Sequence, residues 1–129
     1  MTILLDTHAL QWWSSESHRL SAAALEIIER SSELAVAGIT WFELAWMAAH
    51  DRITVDRPIP RWLGELSSSV RTVGITPQIA AAAVALDHPF PGDPADRVIY
   101  TTAVQHGMAL VTKDRRMRDF PDPDNPSVW

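Results

Sequence analysis

The sequence predicts one α/β domain built on a parallel sheet with helices over both faces. Three observations predict it. The 129 residues leave room for a single sizeable core. Short apolar runs alternate with longer segments of helical spacing, the pattern of strand–helix–strand units. Carboxylates then recur just after these strands, where ligands bind in such folds.

The elements follow in chain order. Thr2–Leu5 is apolar, β-branched and closed by Asp6, and reads as a buried strand. Leu20, Ala24, Ile27 and Ile28 recur at helical spacing through Ser21–Arg30. Leu34–Ala37 is a second strand, closed by Gly38. Thr40 opens a second helix, with Leu44, Ala45 and Ala48 on one face and an end near His50. Pro58 and Pro60 mark a loop before a short helix over Arg61–Ser67, and Val70–Ile75 alternates as a third strand. Thr76 with Pro77 is an N-cap followed by proline at the first helical position, so Gln78–Leu86 is a helix. Asp87–Asp93, holding Pro89, Pro91 and Gly92, is a loop. Pro94–His106 is a helix with Val98, Thr102 and Ala103 inward and Gly107 as its C-cap. Ala109–Thr112 is a strand, Lys113–Arg118 a helical turn, Pro121–Pro126 a turn-rich tail and Ser127–Trp129 a final edge strand.

Composition narrows the chemistry. With no cysteine, disulfides, thiolate metal sites and cysteine nucleophiles are excluded. The N-terminus has no basic leader and no apolar run approaches membrane-spanning length, so a cytoplasmic protein without a membrane partner is expected. A net charge of −5 argues against a module that grips nucleic acid mainly by electrostatics, but not against an enzyme acting on it. Walker, nucleophile-elbow and dinucleotide motifs are missing from the sequence.

Four acids fall at the expected ligand edge: Asp6, Glu43, Asp96 with Asp93 beside it, and Asp114. Each has a structural alternative. Thr40–Glu43 fits a capping box, Asp93 is a natural N-cap, Asp96 suits a helix dipole and Asp114 can cap the turn Arg115–Arg118. Asp6 ends a buried strand, where a carboxylate is costly unless something binds it. Together the acids weigh differently. Two carboxylates about 5 Å apart repel by roughly 3 kcal/mol at an effective dielectric near 20, whereas a helix N-terminus returns only about 0.3–1 kcal/mol. Converging acids therefore call for protonation or a hard cation, and oxygen-only ligands favour Mg²⁺ or Mn²⁺ over Zn²⁺. Such sites serve phosphodiester hydrolysis.

Around the acids, Arg97, Lys113, Arg115, Arg116 and Arg118 are either a solvated basic surface or a rim for substrate phosphates. Thr112 is placed to hydrogen-bond Asp114 or a metal-associated water, and His8 to line the cleft. Trp12, Trp13, Trp41 and Trp46 read as core or interface aromatics, with base stacking as the alternative. His18, His50, His88 and His106 show no ligand spacing.

The same residues resemble a known family. Leu5-Asp6-Thr7-His8-Ala9-Leu10-Gln11-Trp12-Trp13, Ile39-Thr40-Trp41-Phe42-Glu43-Leu44-Ala45, Asp93-Pro94-Ala95-Asp96-Arg97-Val98-Ile99 and Ala103–Asp114 look like the four motifs of PIN-domain toxins of the VapC type, in order. The resemblance implies a three-layer α/β/α PIN-like domain over residues 1–129, with a central, mainly parallel sheet. It further implies a Mg²⁺-dependent endoribonuclease, a homodimer and a cognate antitoxin. By motif, Asp6, Glu43, Asp96 and Asp114 hold the family's acidic positions; Asp6 and Asp96 are then the usual metal ligands, with Glu43, Asp114 and Asp93 contributing. The proline-rich stretch before Asp96, and Pro121, Pro123 and Pro126 near the C-terminus, depart from the pattern. Two other readings compete. A receiver-like phosphoryl-transfer protein would need an acid pair after the first strand and an acid after Val70–Ile75, and has neither. A non-catalytic binding module of the same fold would have no reason to keep mutually repelling acids.

Overall fold

Alternation along the first strand sets the architecture. In the computed structural model, which describes residues 1–87 and 89–129 and so leaves His88 outside, Thr2–Leu5 forms β1. Ile3 and Leu5 point into one apolar cluster and Leu4 into another, as the two-residue period of a strand requires. β1 pairs in parallel with β2 (Glu33–Ala37) and with β4 (Ala109–Val111). β3 (Arg71–Val73) and β5 (Ser127–Val128) flank these, giving the order β3-β2-β1-β4-β5, parallel throughout.

Helices cover both faces. The first cluster joins Ile3, Leu5, Val36 and Val111 to Ala9, Leu10 and Trp12 of α1 (Thr7–Ser15), Ala24 and Ile28 of α2 (Ala22–Arg30) and Leu44 of α3 (Ile39–Ala49). Trp62, Leu63 and Leu66 of α4 (Ile59–Ser67) pack at its margin. The second joins Leu4, Ala35, Ala37 and Leu110 to Ile99, Tyr100 and Ala103 of α6 (Pro94–His106) and Met117 of α7 (Arg115–Arg118). α5 (Pro77–Val84) packs along α6. This is the expected three-layer α/β/α arrangement. The chain crosses from β3 on one side to β4 on the other, so the topological switch point lies between β1 and β4.

Several expected elements are realised as read. Thr76 caps α5 through Ile79 N–H, Asp93 caps α6 through the amides of Ala95 and Asp96, and Gly107 ends α6 at φ +62°, a left-handed conformation suited to glycine. Others differ. α1 has no counterpart among the expected elements: it begins one residue past β1, with Asp6 as N-cap accepting from Ala9 N–H at 2.7 Å. β3 is shorter than Val70–Ile75, because its partner strand ends at Ala37 and Gly38 N–H takes the Val73 carbonyl. α4 starts earlier, with Pro60 in its first turn rather than in the loop. Among the described residues no helix is long and apolar enough to cross a membrane.

Candidate active site

Asp6 stands at the carboxyl end of β1 and is 6% exposed. Its Oδ1 accepts from Ala9 N–H and its Oδ2 from the Thr112 hydroxyl, while Thr112 Oγ1 accepts from Asp114 N–H at 3.0 Å. Thr112 thereby couples the loops after β1 and β4 across the switch point. Burial raises the Asp6 pKa most and Asp114 adds to the rise, against the lowering by these two hydrogen bonds.

Glu43 comes from α3. The expected capping box is not formed: Gly38 is the N-cap, the helix starts at Ile39, and no side chain caps it. Thr40 is instead fully buried, its hydroxyl 3.2 Å from that of Thr7, which donates to Glu43 Oε1. The capping reading fails because Thr40 is drawn inward to a hydroxyl partner, leaving Glu43 a full turn inside the helix. Burial is the first cause of the raised Glu43 pKa, with Asp93 and Asp6 contributing.

Asp96 and Asp93 come from the start of α6, Asp114 from the turn before α7. Asp114 is also a helix cap, accepting from Arg116 and Met117 N–H, so capping and site placement coincide there as they do at Asp93. The Asp96 carboxylate accepts no hydrogen bond among the described residues. Burial pushes its pKa up to about 7, helped by Asp93, Asp114, Glu43 and Asp6 in that order. Five carboxylates from four places in the chain thus feel one another's charge.

They line one hollow of about 510 Å³ together with Thr7, His8, Trp12, Arg19, Lys113 and Arg116. Among the described residues, no three His, Asp or Glu side chains are gathered tightly enough to hold a metal ion as placed. The donor set nevertheless suits a hard cation: it is oxygen only, and burial first, then neighbouring carboxylates, raise the pKa of Asp6, Glu43 and Asp96. Asp96, with no hydrogen bond to break, is the carboxylate freest to turn toward such an ion. A larger hollow of about 690 Å³ beside Trp13, Ile53 and Trp62 offers no comparable group, since its Asp56, Arg57 and Glu65 are tied in one ion-pair network.

The basic rim is rearranged relative to expectation. Arg97 is not part of it: the guanidinium donates to the carbonyls of Pro91, Ala83, Leu86 and Phe90 and lies 5.7 Å from the Phe90 ring. Neighbours on a helix point about 100° apart, so standing next to Asp96 in sequence turns Arg97 away from it. Lys113 and Arg116 do line the hollow, Arg116 loosely paired with Asp114 at 3.8 Å; Arg115 is exposed outside the lining. Arg19, Thr7 and Thr40 were not among the candidates. Only the packed fold brings Arg19 of a distant 3-10 turn (Ser17–Arg19) here.

A wholly parallel sheet with acids gathered at its switch point defines a class, and the PIN domain family model matches residues 3–123. The chain belongs to that family. Within it, the chain is 58% identical over 128 residues to Ribonuclease VapC22 of Mycobacterium tuberculosis (strain ATCC 25618 / H37Rv), covering 99% of this chain and 98% of that protein, which places it among the VapC-type PIN proteins. Solved structures share the fold. One is a toxin-antitoxin complex from Klebsiella pneumoniae, with TM-score 0.70, 24% identity and coverage of 98% and 96%. Another is VapBC2 from Rickettsia felis bound to a promoter DNA fragment, with TM-score 0.71, 15% identity and coverage of 99% and 98%.

Proposed function

We propose that this chain is an endoribonuclease toxin that hydrolyses RNA phosphodiester bonds at the carboxylate hollow and is restrained by a cognate antitoxin. The observation that carries the reading is the convergence of Asp6, Glu43, Asp93, Asp96 and Asp114 on one hollow, where burial and neighbouring carboxylates raise the pKa of Asp6, Glu43 and Asp96. The VapC22 relative is named a ribonuclease and the Klebsiella neighbour a toxin-antitoxin complex, which supports substrate and partner alike. Action in the cytoplasm as a homodimer belongs to the same proposal.

Asp6 and Asp96 would hold Mg²⁺ or Mn²⁺, with Glu43, Asp114 and Asp93 contributing. When bound, the cation would neutralise phosphate charge and activate water. The chain's own groups do the rest. Thr112 and Ala9 N–H fix both oxygens of Asp6, and the Thr40–Thr7 hydroxyl pair fixes one oxygen of Glu43, so neither carboxylate has to be ordered during the reaction. Burial pushes the Asp96 pKa up to about 7, and a cation held there would favour its ionised form. Lys113 and Arg116 at the rim face the RNA backbone.

Purified protein should cleave single-stranded RNA with Mg²⁺ or Mn²⁺ and stop in excess EDTA. Full activity in EDTA would remove the metal mechanism, and no cleavage with either metal would remove the ribonuclease reading.

A further inference from the structure

The carboxylate hollow does not end at Arg19. A second hollow of about 630 Å³ adjoins it and shares His8, Trp12 and Arg19 with it, then runs on past Gln11, Ser15, Met47 and one acid, Glu16, to Arg52. The cations along this track are carried on indoles. The Arg19 guanidinium lies 4.7 Å and Lys113 Nζ 5.7 Å from the Trp12 ring centroid, and the Arg52 guanidinium lies 5.6 Å from that of Trp46. Each platform is braced: Trp12 is 7% exposed and meets Trp129 edge-on at 5.9 Å, and Trp46 stacks on His50 at 3.9 Å. A left-handed turn at Asp51 (φ +55°) delivers Arg52, whose N–H takes the Met47 carbonyl at 2.8 Å.

Neither arginine is held by a buried partner. Arg19 has a single exposed ion pair, with Glu16 at 3.4 Å, of a solvent-screened kind that a phosphate can displace. Arg52 forms no ion pair among the described residues. A guanidinium held over an indole has lost part of its rotational freedom and keeps its N–H edge for a phosphate. Guanidiniums spaced along a groove that opens into an acidic centre suit a polyanion with one phosphate at the acids and its neighbours further out.

On the ribonuclease reading above, we propose that Arg19 and Arg52 form a binding track for the backbone phosphates of single-stranded RNA beside the scissile one. Arg19 holds the nearer phosphate and Arg52 one further along. Both are positioning residues: they set KM, not the chemical step.

The test uses a fluorescein-labelled single-stranded RNA of mixed sequence. Binding is read by anisotropy in an Asp96→Asn background, and cleavage by the otherwise wild-type chain. The double variant Arg19→Gln/Arg52→Gln should weaken binding about 10-fold. The slope of log affinity against log salt should become shallower by about 0.7 for each phosphate that is no longer neutralised. KM should rise with kcat retained, and Arg19→Lys should recover part of the loss. Because both side chains are exposed, circular dichroism should be unchanged. Binding within twofold of the parent at an unchanged slope, in a parent that binds and cleaves RNA, overturns the track alone and leaves the cations as mere offset for the acids. Displacement of the RNA by polyglutamate at equal charge concentration also overturns it, as a general carboxylate site. A parent that neither binds nor cleaves RNA removes the ribonuclease reading and the track with it.

Discussion

The two ends of the same parallel strands treat carboxylates in opposite ways. At the amino end, Glu33 of β2 accepts from Arg71 of β3 at 2.9 Å and from Thr2 of β1 at 3.0 Å, and the Arg71 hydrogen bond chiefly holds its pKa below the usual range. At the carboxyl end, Asp6, Glu43 and Asp96 are all raised, by burial first and then by a neighbouring carboxylate, Asp114 at Asp6 and Asp93 at Glu43 and Asp96. The ion pair found there is the loose one between Arg116 and Asp114 at 3.8 Å. One end commits its acid to cross-strand pairing, which binds nothing else. The other tolerates repulsion that a cation would relieve, which is what makes it the candidate site.

The largest effect that would break this contrast is loss of cleavage on neutralising the unpaired end. Asp6→Asn and Asp96→Asn should each lower kcat/KM for RNA by about 1,000-fold, or roughly 4 kcal/mol of transition-state stabilisation, with the fold intact. Near-normal turnover in both variants would mean that the hollow is not where the chemistry occurs. Glu43→Gln comes next, at about 100-fold or roughly 2.7 kcal/mol. Since no capping box exists, the change should leave the thermal midpoint of the metal-free protein unchanged or higher. A variant that cleaves at the wild-type rate but melts earlier would return Glu43 to a structural role.

Much of this site was legible because strand ends in a parallel sheet are marked by where apolar runs stop, and Asp6 and Asp114 sit just past such stops. What sequence could not give were features fixed by packing. α1 escaped because Asp6, read from the sequence as a candidate metal ligand, is also a helix cap, and no further residue separates strand from helix. Thr40 was misassigned because a capping box and a buried hydroxyl relay use the same residue types at the same spacing; only Thr7, 33 residues away, distinguishes them. Arg97 followed from adjacency to Asp96, which a helix turns into divergence. Arg19 needs the tertiary fold to meet Trp12 and the acids.

A smaller effect sharpens the contrast through pH. The folded-state pKa of Asp96, about 7, lies above its unfolded value near 4, so the fold binds this proton more tightly between those values. Stability of the metal-free protein should therefore fall as pH rises from about 4 to 7 and then level off. Asp96 is partly solvated, so the contribution is about 1–2 kcal/mol after allowing for screening. Asp96→Asn should make the slope shallower, leaving the part that the raised Asp6 and Glu43 contribute, and be the more stable protein at pH 8. Urea unfolding in EDTA at both ends of the range checks it, and an unchanged slope would mean that the acids are not desolvated as described.

The smallest effect concerns Glu33, where the opposite sign is expected. Its folded pKa is lowered, so its stabilisation is present above the unfolded carboxylate value and lost as pH falls through the folded one. Glu33→Gln should then be slightly less stable than wild type at pH 7, and the difference should vanish in acid. Because the pair is exposed, it should also shrink in high salt. RNA cleavage should be unaffected, since Glu33 stands at the far end of β2 from the acids. Both variant-minus-wild-type differences thus close at low pH, but Asp96→Asn reaches that limit from above and Glu33→Gln from below. If Glu33→Gln were stabilising at pH 7, the pairing at the amino end would be incidental, and the two ends of the sheet would differ in burial alone.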